Sequence, residues 1–80
     1  MPTVLRWKGF RFYFYSHETS EPPHIHVDKE NKSAKFWLNQ PALARNIGYS
    51  VKELGQIQNI IEEKQDLILE KWNGYFGISS

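Results

Sequence analysis

The sequence predicts an α+β fold: an antiparallel sheet of about four strands followed by a long C-terminal helix, either continuous or split in two. Three observations predict it. Short alternating apolar runs, separated by turn residues, fill residues 1–38. The texture changes at Asn39-Gln40-Pro41, and from residue 54 onward apolar residues recur near the helical period. No proline interrupts Ser50 to Asn73. Eighty residues make one domain with one core, so 1–80 reads as a single unit with strands in 1–38 and helical structure in 39–80.

The elements follow in order. Thr3 to Lys8 alternates loosely and reads as a strand, with a tight turn at Gly9. Phe10 to Ser16 is the clearest strand, with Phe10, Phe12 and Phe14 on one face and Arg11, Tyr13 and Tyr15 on the other. The short connection between them predicts an antiparallel hairpin. A polar loop leads to Pro22-Pro23, and His24 to Asp28 forms a third strand. Lys29-Glu30-Asn31-Lys32 is a charged hairpin turn into a fourth strand, Ser33 to Leu38. Asn39-Gln40-Pro41 offers an N-cap and an early proline, which predicts a short helical turn over Pro41–Arg45, ended near Asn46 and Gly48. Ser50-Val51-Lys52-Glu53 has the form of a capping box and should start the long helix. Its end is expected at Gly74 or Gly77, giving roughly 36 Å if unbroken. The polar stretch Glu62 to Asp66 is where it would divide.

These strands give the sheet two unlike faces. Phe12, Phe14, Ile25, Val27 and Phe36 should pack with Ile57 and Ile61 of the helical stripe in one buried cluster. The other face would carry Arg11, Tyr13, Tyr15, His24, His26, Asp28, Lys35 and Trp37, a mixture of rings, cations and imidazoles with no aliphatic residue. Trp72, Tyr75 and Phe76 read as a hydrophobic clasp closing the helix on the sheet, and Glu62, Glu63, Asp66 and Glu70 as a solvated helix face.

Composition narrows the function classes. There are no cysteines, which removes disulfides and thiolate metal sites and fits a reducing cytoplasm. No apolar run is long enough to span a membrane, and the first residues lack the apolar stretch of a signal peptide. The formal charge of +1 does not advertise nucleic acid, but an aromatic content of 15% concentrated before residue 38 is unusual.

The chemistry centres on Glu21-Pro22-Pro23-His24-Ile25-His26-Val27. On a strand, His24, His26 and Asp28 share one side, a set suited to zinc or iron if His17 or Glu21 completes it. No metal or other cofactor is expected; if a divalent ion binds, His24, His26 and Asp28 are its ligands. Acid–base chemistry needs fewer groups. His24 and His26 would exchange protons with the 2′-hydroxyl and the leaving oxygen of RNA, while Arg11 and Lys35 hold the phosphate. Tyr13, Tyr15 and Trp37 would stack bases. The plainer alternative is that the histidines are hydrogen-bonded surface residues and that the rings pack under a helical segment or in a homodimer interface.

The sequence resembles the small bacterial domain-of-unknown-function family 4160. The resemblance is carried by Met1 to Arg6, Gly9-Phe10-Arg11-Phe12, Phe14-Tyr15-Ser16, the Glu21–Val27 string, Ala34 to Leu38, Ala44-Arg45-Asn46, Gly48-Tyr49-Ser50 and Trp72 to Gly77. It implies a small bacterial protein often encoded beside another short protein, an arrangement that invites a toxin–antitoxin reading. It supplies no catalytic residues. Two function classes follow: a toxin-type component acting on RNA through the His24/His26 face, and a non-catalytic interaction or regulatory module that binds a small partner protein.

Overall fold

The computed structural model describes residues 3–15 and 21–76. Its elements are β1 (Thr3–Trp7), β2 (Phe10–Tyr13), β3 (His24–Lys29), β4 (Lys32–Trp37), β5 (Ala42–Ile47), α1 (Val51–Glu63) and α2 (Gln65–Phe76). The strands form one antiparallel sheet in the order β1-β2-β3-β4-β5, each beside its neighbour in sequence. The fold is therefore α+β, with five strands where about four were expected. The β1–β2 turn is two residues long, and Lys8 and Gly9 both take positive φ, at 49° and 85°. That geometry matches the right-handed twist of the flanking strands.

The fifth strand corrects the expected helical turn over Pro41–Arg45. Ala42, Leu43, Ala44 and Arg45 favour a helix by propensity, and the preceding Asn39-Gln40-Pro41 resembles a helix start. The competing demand comes from β4, whose backbone would otherwise present a free edge. Asn39 to Pro41 instead reverses the chain, and Ala42–Ile47 pairs along β4. Asn46 then fixes the exit: its side chain donates to the Tyr49 carbonyl at 3.1 Å and accepts from the Tyr49 amide at 3.0 Å.

The capping box is present. The Glu53 amide donates to Ser50 Oγ at 3.2 Å and the Ser50 amide to Glu53 Oε1 at 3.0 Å. The Ser50 backbone and the Lys32 ammonium, 3.1 Å away, hold the Glu53 carboxyl below its usual range. The helix divides at Lys64, inside the expected polar stretch. Gly74 lies within α2 rather than ending it, and Gly77 falls outside the described residues.

The expected core is buried: Phe12, Phe14, Ile25, Val27, Phe36, Ile57 and Ile61 belong to one cluster, joined by Ile68, Trp72 and Tyr49. The Tyr49 hydroxyl donates to the Val27 carbonyl at 2.9 Å, tying the segment before α1 to the central strand. Burial, followed by the negative charges of Asp28 and Glu53, pushes its ionisation well above the usual tyrosine range. Trp72 and Phe76 close on Phe14, at ring separations of 5.1 and 6.2 Å, as the terminal clasp requires. Among the described residues no helix is long and apolar enough to cross a membrane.

Candidate functional site

On the sheet face away from the core, one row of paired residues crosses four strands. Tyr13 pairs with His26, His26 with Lys35, and Lys35 with Arg45. Neighbouring strands lie about 4.8 Å apart, so the row sets two rings and two cations side by side. Arg45 joins it next to a bulge. The register shifts between Lys35/Arg45 and Phe36/Leu43, which leaves Ala44 as an extra residue. Strict alternation would turn Leu43 and Arg45 to the same side; the bulge turns Leu43 with Phe36 and Arg45 with Lys35.

Arg45, Lys35, His26, Tyr15, Ser33 and Ile47 line a shallow depression of about 250 Å³. The Lys35 ammonium forms an ion pair with Glu21 and lies 4.7 Å from the Trp37 ring centre. Beyond Trp37 a second, less polar hollow of about 370 Å³ opens between Pro22, Pro23, Asn39, Gln40 and Ala42.

The rings form a continuous chain. Tyr15 meets His26 edge-on at 4.4 Å, Tyr13 stacks on His26 at 5.5 Å, and His24 stands 5.1 Å from His26 and 6.0 Å from Trp37. Arg11 lies over the Tyr13 ring at 4.7 Å and donates to Thr3 Oγ1 at 2.9 Å. It shares the face but not the lining of the depression. Tyr13 is buried by these neighbours and stands apart from the core cluster. Its hydroxyl donates to Asp28 Oδ2 at 2.9 Å, and the Tyr15 hydroxyl lies 3.4 Å away. Burial first, then the Tyr15 hydrogen bond and the Asp28 charge, raises Tyr13 far above the ordinary tyrosine range, so its proton stays in place at any physiological pH.

The two histidines share a face but differ in access. His26 keeps 8% of its surface exposed and lines the depression. His24 has none: Trp72 of α2 packs 5.0 Å from its ring, so the helical layer reaches this end of the sheet. Its Nδ1 is 2.9 Å from the Pro22 carbonyl, which can only accept, so Nδ1 carries the proton and donates. Its Nε2 lies 3.9 Å from Glu21 Oε1.

Proteins of known sequence pattern add one result. The family described as "Domain of unknown function (DUF4160)" matches residues 9–73. The chain belongs to the DUF4160 family. Among curated proteins and among solved structures, no match was found. The DUF4160 match spans the whole row from Tyr13 to Arg45 and both hollows beside it.

In this DUF4160 chain, His24, His26 and Asp28 do not form a ligand set: among the described residues no three His, Cys, Asp or Glu side chains are grouped to hold a metal ion. Asp28 is engaged by Tyr13, and its Oδ1 is buried without a hydrogen-bond donor among the described residues. His17, the further candidate ligand, lies outside the described residues. Arg45, Ser33, Ala34 and Ile47 are the residues lining the depression that sequence reasoning missed. Once Pro41–Arg45 is read as a helical turn, Arg45 has no place on the sheet.

Proposed function

We propose that the protein acts on RNA, as the toxin-type component of a two-gene system, at the face centred on His26. The observation that carries this reading is the row Tyr13–His26–Lys35–Arg45, in which two cations stand beside an imidazole that is largely buried but lines the depression. Lys35 and Arg45 hold a phosphodiester in the depression, and the exposed ring of Tyr15 supports a neighbouring base. His26 takes the proton of the 2′-hydroxyl as that oxygen bonds to phosphorus; the bond to the 5′-oxygen breaks, and the leaving oxygen takes a proton from water at the open mouth. His24, enclosed by Trp72 and Trp37, acts as a positioning residue for His26 rather than as a second proton carrier.

The test is cleavage of single-stranded RNA by purified protein, together with growth after induction in a bacterial host. Cleavage and arrest that are lost in His26→Ala, with the fold intact by circular dichroism, support the reading. Protein that neither binds nor cleaves RNA at low salt overturns it.

A second reading is favoured by β5. All six of its residues are exposed, with Leu43 at 42% and Ile47 at 50%, and it forms one edge of the sheet. Such an edge accepts an added strand, so in this reading the chain is a non-catalytic module for a small partner protein or for a second copy of itself. Indifference of host growth to induction, combined with co-purification of the neighbouring gene product, favours it.

A further inference from the structure

We infer that the hollow beside Trp37 is a nucleobase subsite, and that with Lys35 and Arg45 it receives a single nucleotide unit of a single-stranded nucleic acid. This inference rests on the RNA reading above and names which part of the ligand goes where. Lys35 and Trp37 are two residues apart on β4 and share its outer face, which separates their backbones by roughly 6.6 Å. The cation lies 4.7 Å from the ring centre, so a phosphate held at Lys35 and Arg45 leaves its base next to the indole.

The walls of the hollow suit a base. Pro22, Pro23 and the indole present apolar surfaces, while Asn39 and Gln40, both exposed, add two amide-bearing residues to the lining. An amide both donates and accepts, as a base edge requires. About 370 Å³ lies at the lower end of small-ligand sites, which run from about 300 to 1,000 Å³.

The hollow is also held open by the rest of the fold. The Leu38 amide donates to the Pro23 carbonyl at 3.0 Å, joining the two walls. Gln65 Nε2 donates to the carbonyls of Leu38 and Asn39 at 2.7 and 3.0 Å, and Gln58 Nε2 to that of Pro41 at 3.4 Å. The two helices therefore fix the turn between β4 and β5 from behind, and a ligand meets a preformed site instead of ordering one. An acidic or proline-rich peptide is the rival occupant, but it leaves no joint role for the indole and the neighbouring cation pair Lys35 and Arg45.

The experiment compares a labelled short oligouridine with an abasic oligonucleotide of the same length and charge, using the full chain. The wild type is expected to bind the base-bearing strand about tenfold more tightly. Trp37→Ala should abolish that preference, Trp37→Phe should retain most of it, and Asn39→Ala/Gln40→Ala, at two exposed positions, should reduce it. Quenching of indole fluorescence on binding should vanish in Trp37→Phe, which leaves Trp7 and the buried Trp72 in place. Equal affinity of the wild type for both strands overturns the base subsite while sparing the phosphate site. Failure to bind either strand overturns the RNA reading as well. Tighter binding of a polyglutamate or polyproline peptide, displacing the oligouridine, overturns the subsite in favour of a peptide.

Discussion

Lys35 and Arg45 sit opposite one another on the histidine face, beside the bulge that leaves Ala44 unpaired in β5. A net charge of +1 is too small to draw nucleic acid by itself, so affinity must come from this local pair. Two phosphate-binding cations give a slope of log affinity against log salt of about −1.4 for a single strand. Arg45→Gln should halve that slope to about −0.7 and weaken binding at low salt, with no loss of thermal stability, since Arg45 is exposed. A salt titration by fluorescence anisotropy checks this, and an unchanged slope removes Arg45 from the site.

Glu21 competes with any anion for Lys35. The pair is partly exposed, and such pairs contribute about 0.2–1 kcal/mol. Glu21→Gln should therefore raise phosphate or oligonucleotide affinity by a small factor, about 1.4- to 5-fold, by freeing the ammonium. Isothermal titration with both proteins measures it. Weaker binding in Glu21→Gln would mean that the carboxylate supports the site instead of guarding it.

The core was legible in the sequence because alternation in β2, β3 and β4 and the stripe through Ile57 and Ile61 point to one face. Phe12, wholly buried among these residues, should cost about 3–5 kcal/mol on replacement by Ala. Urea denaturation gives the value. A Phe12→Ala protein with an unchanged midpoint would contradict this packing.

The face was legible only in part. His26, Lys35, Tyr15 and Trp37 follow from the same alternation that fixes the core. Arg45 was not legible, because a tertiary effect acts against the local signals. Edge pairing with β4 overrides the helical propensity of Ala42–Arg45, and the bulge at Ala44 then sets Leu43 on the side opposite to Arg45. The enclosure of His24 was equally hidden: it depends on Trp72, 48 positions later in the chain (72 − 24), reaching the end of β3. The division of the helix at Lys64 was signalled by the polar run Glu62 to Asp66, since no apolar side chain there holds a single helix to the sheet.

Two buried tyrosines make the fold sensitive to alkaline pH. Tyr13 and Tyr49 are buried with their hydroxyls bonded to Asp28 and to the Val27 carbonyl, and both hold their protons far above the ordinary value of 10.0. In the unfolded chain both ionise near pH 10. Between that pH and their raised folded values the folded state binds more protons than the unfolded one, so stability must fall as pH rises. Their contribution is complete below about pH 10 and is lost progressively above it. Urea midpoints measured from pH 8 upward should be flat to about pH 10 and then decline. Tyr49→Phe should flatten the decline, because it removes one of the two protons responsible. It should also lower the neutral-pH stability by about 1–3 kcal/mol, since the Val27 carbonyl loses its buried donor. Wild-type and Tyr49→Phe curves that fall in parallel above pH 10 would show that the Tyr49 hydroxyl ionises as freely in the folded state as in the unfolded one.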